Sequence, residues 1–162
     1  MMIRAILTTC LLALSLAVPL AAETRWPDQG WQVTPTAQGY DELLQALKQA
    51  VEAEGMFVVT EAGPTEAAAN RGVNIPGNRV VGVFRNDYAV RILRLSVPAM
   101  IEAPMRFYVT ENDDGSATLS WKTPTHLLEP YVDAAGEELE TVARELDTLF
   151  AAIAQRATEA SE

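Results

Sequence analysis

Arg79-Val-Val-Gly-Val-Phe-Arg-Asn-Asp-Tyr-Ala-Val-Arg-Ile-Leu-Arg94 changes its hydrophobic period part-way, and that change decides the fold. Arg79 to Phe84 reads as a strand apolar on both faces, the pattern of a strand inside a sheet. Past Arg85-Asn86-Asp87 the spacing becomes helical, and a helix is predicted over Asp87–Met100. Ala89, Ile92, Leu93 and Val97 are expected to face inward, with Pro98 marking a break or kink.

Upstream, Tyr40–Glu54 reads as an amphipathic helix carrying Leu43, Leu44, Leu47 and Val51 on one stripe. Asp41 and Glu42 favour its N-terminus, and Gly55 stops it. Met56–Thr60 follows as a strand, and Trp31–Thr34 alternates like an edge strand. Trp26 and Trp31 are expected in the core or covering a groove. Thr65–Asn70 is expected to form a short helix capped by Thr65, before a loop punctuated by Gly72, Pro76 and Gly77.

Downstream lies a hairpin. Arg106–Glu111 and Ala117–Lys122 both alternate around the turn Asn112-Asp-Asp-Gly115, so Phe107 and Val109 share a face, as do Leu119 and Trp121. Thr123–Tyr131 reads as a short connecting segment. From Gly136 to Ala157, Leu139, Val142, Leu146, Leu149 and Ile153 step by three and four. That stripe spans about two heptads, too few for a coiled coil, and is expected to pack on the sheet. The fold class is therefore α+β: helices on a mainly antiparallel β-sheet, plus a C-terminal amphipathic helix.

Composition sets the address. Arg4 followed by an apolar run to Leu20 and the small pair Ala21-Ala22 has the form of a cleaved secretory signal peptide. At 16 residues the run is short for a membrane span of about 20. Cleavage after residue 22 leaves 140 of the 162 residues, with 11 basic and 22 acidic side chains, a net charge of −11. The expected organisation is a signal peptide at 1–22, one α+β domain at 23–135 and a C-terminal helix at 136–162. The expected location is the periplasm, with no stable membrane insertion after cleavage. An acidic balance disfavours nucleic acid, whose phosphates require Lys and Arg. Cys10 leaves with the signal peptide, so the mature chain has no thiol for disulfide, nucleophile or metal.

Three stretches carry a family resemblance. Tyr40-Asp-Glu-Leu-Leu opens a helix that ends at Glu54-Gly-Met-Phe-Val; Val80-Val-Gly-Val-Phe-Arg-Asn86 leads into Ala89 and Leu93; Ala103-Pro-Met-Arg-Phe-Tyr-Val precedes Asp-Asp-Gly and a strand ending at Thr-Pro124. Over residues 38–131 the chain resembles domain-of-unknown-function family 302. The family often has Asn-Pro where this chain has Asn86-Asp87, and Pro-Cys where it has Pro104-Met105. The resemblance implies a compact α+β fold and a homodimer, and brings no established activity.

The candidate ligand site is Arg85, Asn86, Tyr88, Arg91 and Glu102, where a strand end meets a helix N-terminus that offers free N–H groups to a small anion. The bland alternative is a cap at Asn86 or Asp87 with arginines paired to surface acids. His126 is the sole histidine, with Glu129 three residues on. The pair is too small for a zinc site, but in a deep pocket it would suit an acid–base enzyme of small-acid or sulfur metabolism. No nucleophile motif, phosphate loop or haem motif is present. No cofactor, metal or catalytic residue is therefore assigned. The leading expectation is a non-enzymatic module that binds a small anionic ligand or a periplasmic protein.

Overall fold

The computed structural model describes residues 25–159, so the signal-peptide reading lies outside the described residues. The chain runs β1 (Trp31–Gly39), α1 (Tyr40–Ala53), β2 (Phe57–Ala62), α2 (Thr65–Ala69), β3 (Asn78–Phe84) and α3 (Asn86–Leu95). A short 3-10 helix (Pro98–Glu102) follows, then β4 (Met105–Glu111), β5 (Ser116–Lys122), α4 (Pro124–Ala135) and α5 (Glu137–Glu159). The strands form one antiparallel sheet in the order β1-β5-β4-β3-β2. The fold is α+β, with the C-terminal helix expected from the sequence.

Side chains alternate across a strand, and here the two faces have different fates. Val81, Val83, Met105, Phe107, Val109, Leu119 and Trp121 point to the helix side and are buried. α1 covers them with Leu43, Leu47 and Val51, and α5 with Leu139, Val142, Phe150 and Ile153. Phe107 stacks on Phe150 with ring centroids 4.6 Å apart. The C-terminal helix thus buries its stripe within its own chain. Gln38 at the end of β1 donates to the Ala157 carbonyl at 3.1 Å, tying that helix to the edge strand.

The structure departs from the sequence reading in four places. α3 ends at Leu95, and Pro98 starts a separate 3-10 turn because it cannot continue the helical ladder. Leu93 and Val97 consequently face solvent, as does Ile101, which is 79% exposed. Thr65 is the first residue of α2 and donates its hydroxyl to the Pro76 carbonyl; Pro64 holds the cap position. The segment after β5 is a full helix, α4, which admits Pro124 at its first turn, where no N–H is needed. Asp147 of α5 accepts from the Thr125 N–H (3.0 Å) and hydroxyl (2.7 Å), satisfying that helix start from outside.

Candidate anion-binding site

The predicted cluster around α3 is partly assembled, and its charges are spoken for. Arg85 donates from Nε and Nη2 to Asp87 at 2.8 and 3.0 Å, and its guanidinium lies 4.3 Å from the Tyr88 ring centroid. Arg91 approaches the same ring at 5.4 Å while donating to both oxygens of Glu145, at 2.5 and 3.0 Å. The hydrogen bonds from Arg85 and from Arg91 hold the Asp87 and Glu145 carboxyls below the ordinary carboxylate range. Burial pushes the Tyr88 phenol up. Asn86 is exposed at the first position of α3, and Arg85 precedes it at a cap position without a side-chain cap bond. Glu102 is engaged elsewhere, accepting from Tyr131 of α4 at 2.8 Å. Beside Arg85 and Tyr88 lies an apolar cavity of about 30 Å³, the share of liquid volume of about one water molecule.

His126 and Glu129 approach to 3.8 Å on the first turns of α4, with side chains 42% and 77% exposed. They line an open depression of about 560 Å³ together with Asp133 and Glu140. Among the described residues, no group of three or more metal-ligating side chains comes together there or elsewhere. Both side chains are open to water and not enclosed in the deep pocket that an acid–base site was expected to need.

The face of the sheet turned away from α1 and α5 carries a different arrangement. Arg106 and Tyr108 of β4, Lys122 of β5, Asn78 and Val80 of β3, and Trp31 of β1 line a basin of about 420 Å³. Phe107 pairs with Trp121 across β4 and β5. One residue beyond that pair on each strand stand Arg106 and Lys122, so the register puts two cations on facing positions of the same face. Like charges on facing positions are destabilising. No acidic side chain lines the basin.

Elsewhere several cations are paired. Lys48, Arg79, Arg85, Arg91, Arg144 and Arg156 each lie within ion-pair distance of a carboxylate. Among the described residues, neither Arg106 nor Lys122 has such a partner. The Lys122 ammonium leans instead over the Trp31 ring, 5.6 Å from its centroid. Trp26 packs against Trp31 at 5.3 Å and edge-on against Tyr108 at 6.2 Å, which folds the segment before β1 over this face. The Asn78 amide donates to the Tyr108 hydroxyl at 2.6 Å.

Gly30 fixes where Trp31 begins. Its φ of +72° is accessible to glycine at little cost. A Cβ there would strike the His126 ring, and the Gly30 carbonyl accepts from the Thr123 N–H at 2.9 Å. The start of β1 is thereby pinned to the end of β5, bringing Trp31 to Lys122.

The family model described as "Domain of unknown function DUF302" matches residues 31–155. The chain belongs to the DUF302 family. Among curated proteins, none matches it. A solved structure similar in fold is the crystal structure of an uncharacterized conserved DUF302 protein from Bacillus stearothermophilus. The TM-score is 0.70 at 19% identity, covering 80% of this chain and 98% of that one. At that identity the likeness speaks for the DUF302 fold alone.

Of the basin residues of this DUF302 chain, Trp31 was expected in the core or covering a groove, whereas Asn78, Val80, Arg106, Tyr108 and Lys122 escaped the sequence reading, although one signal was available. The turn residues Asn112–Gly115 set the hairpin register, and Arg106 and Lys122, each eight positions from Asp114, fall opposite each other. The arrival of Trp26 and Trp31 has no such local signal.

Proposed function

We propose that this DUF302 protein is an exported, non-catalytic binding module that holds a small organic anion on the open face of its sheet. One observation carries the reading: two adjacent cations without carboxylate partners, in a chain with 22 acids against 12 bases, share a basin with Trp31 and Tyr108. A carboxylate or sulfonate between them would relieve their repulsion and make charge-assisted hydrogen bonds. The basin volume falls within the range of small-molecule sites. The Arg85–Arg91 cluster ranks second, because an anion there must displace Asp87 or Glu145. A protein partner or a second copy draws support from exposed Leu93, Val97 and Ile101. That stripe specifies no ligand chemistry, so the anion reading leads. Export rests on the n-region and apolar run of residues 1–22.

Thermal denaturation of the mature protein against a panel of carboxylates and sulfonates tests the reading. An anion at about one hundred times its dissociation constant stabilises the folded state by about 2.7 kcal/mol. The expected shift disappears in the double variant Arg106→Gln/Lys122→Gln and survives in Arg85→Gln. A flat panel, or a shift that persists in the double variant, overturns it.

A further inference from the structure

The basin has two chemically different ends, and their separation narrows the ligand class. Arg106 and Lys122 form the cationic end. Along β4 the register then passes Tyr108, opposite Val80, and reaches Thr110, opposite Asn78. Arg106 and Thr110 are four residues apart, about 13 Å at the rise of an antiparallel strand. Arginine and asparagine side chains are long enough to reach into that gap, which leaves room for a substituted aromatic ring.

Between the ends the surface is apolar and aromatic: Val80 on the floor, Trp31 and Tyr108 as walls, Leu127 at the margin. At the far end, the Tyr108 hydroxyl accepts from Asn78 and donates to no protein group among the described residues. Its hydrogen is therefore free, as is the Asn78 side-chain amide oxygen, which accepts no protein hydrogen bond among the described residues. One donor and one acceptor side by side match a phenol or similar hydroxyl.

We propose that the anion is an elongated aromatic carboxylic acid bearing a hydroxyl at the end of the ring opposite its acid group. Its carboxylate lies on Arg106 and Lys122, its ring against Trp31 and Tyr108, and its hydroxyl at Asn78. The inference rests on the anion-binding reading above. Short acids such as acetate reach only the cationic end, and neutral phenols only the other.

Calorimetric titration with 4-hydroxycinnamate, cinnamate, acetate and phenol separates the possibilities, with quenching of tryptophan emission as a second readout. The expected order is 4-hydroxycinnamate first, cinnamate about five-fold weaker for the loss of one neutral hydrogen bond, and acetate and phenol weaker still. Asn78→Ala is expected to erase the difference between the first two. Acetate binding as tightly as the aromatic acids would overturn the aromatic class and leave the anion reading standing. Phenol binding as tightly as the acids, or no acid binding at all, would overturn both. A hydroxyl preference that survives Asn78→Ala would overturn the placement of the far end.

Discussion

Arg91 and Arg106 both stand among aromatic rings, yet Arg91 holds a carboxylate with both arms and Arg106 holds none. The difference follows from the elements around them. α3 packs against α5, whose polar edge presents Glu145, so Arg91 finds its acid where two helices meet. Arg106 points away from both large helices, onto a face crossed by the Trp26 segment and edged by α4. A cation whose partner belongs to its own chain is part of the structure. One that lacks a partner, in an acidic chain, is available to a ligand.

The contrast is sharpest between two consecutive residues. Phe107 is fully buried against Phe150 and Trp121, while Tyr108 lies half-buried on the opposite face. Phe107→Ala is expected to cost about 3–5 kcal/mol in urea denaturation. Tyr108→Phe, which removes only the hydroxyl bonded by Asn78, should cost about 1 kcal/mol and weaken ligand binding. Equal costs would mean that the open face is as structural as the covered one.

How much of this contrast the sequence contained depends on range. Alternation in Arg106–Lys122 put Phe107 with Val109 on one face of their strand and Leu119 with Trp121 on one face of theirs, because a period of two follows directly from the pleat. The stripe of α5 was equally plain, since Leu139, Val142, Leu146 and Ile153 mark one side of a helix. The end of α3 was less so. Leu93 and Val97 fit the inward period, but inward has meaning only while the helix continues, and Ser96 is already extended. α4 was hidden by its prolines: Pro130 sits inside the helix, where a sequence rule expects a break. Its start is secured by Asp147, a residue on another helix that no local pattern reveals. The site was the least legible part. Arg85, Tyr88 and Arg91 do converge, but their acids Asp87 and Glu145 converge with them, and Glu145 lies 54 positions from Arg91.

Acid pH should separate the two clusters. Arg91 depresses the folded-state value of Glu145, and Arg85 that of Asp87. Their stabilisation is therefore fully present above the unfolded carboxylate value near 4.3 and is lost as pH falls through the depressed folded value. Glu145→Gln cannot lose a charge, so its stability should decline less steeply on the acid side than that of the parent. Identical acid profiles would show that the Arg91 pair contributes nothing measurable, as many exposed pairs do.

The smallest expected effect is the most diagnostic. Arg106→Gln removes one of two adjacent cations and breaks no ion pair among the described residues. Its unfolding free energy should stay within about 0.5 kcal/mol of the parent, as for ordinary surface substitutions, with any change toward greater stability as repulsion from Lys122 is relieved. The same measurement in a saturating aromatic acid should reverse the order, because only the parent gains the binding free energy. A residue kept for structure loses stability in both conditions. One kept for a ligand loses it only when the ligand is present, and a clear loss for Arg106→Gln in ligand-free buffer would place Arg106 with Arg91 after all.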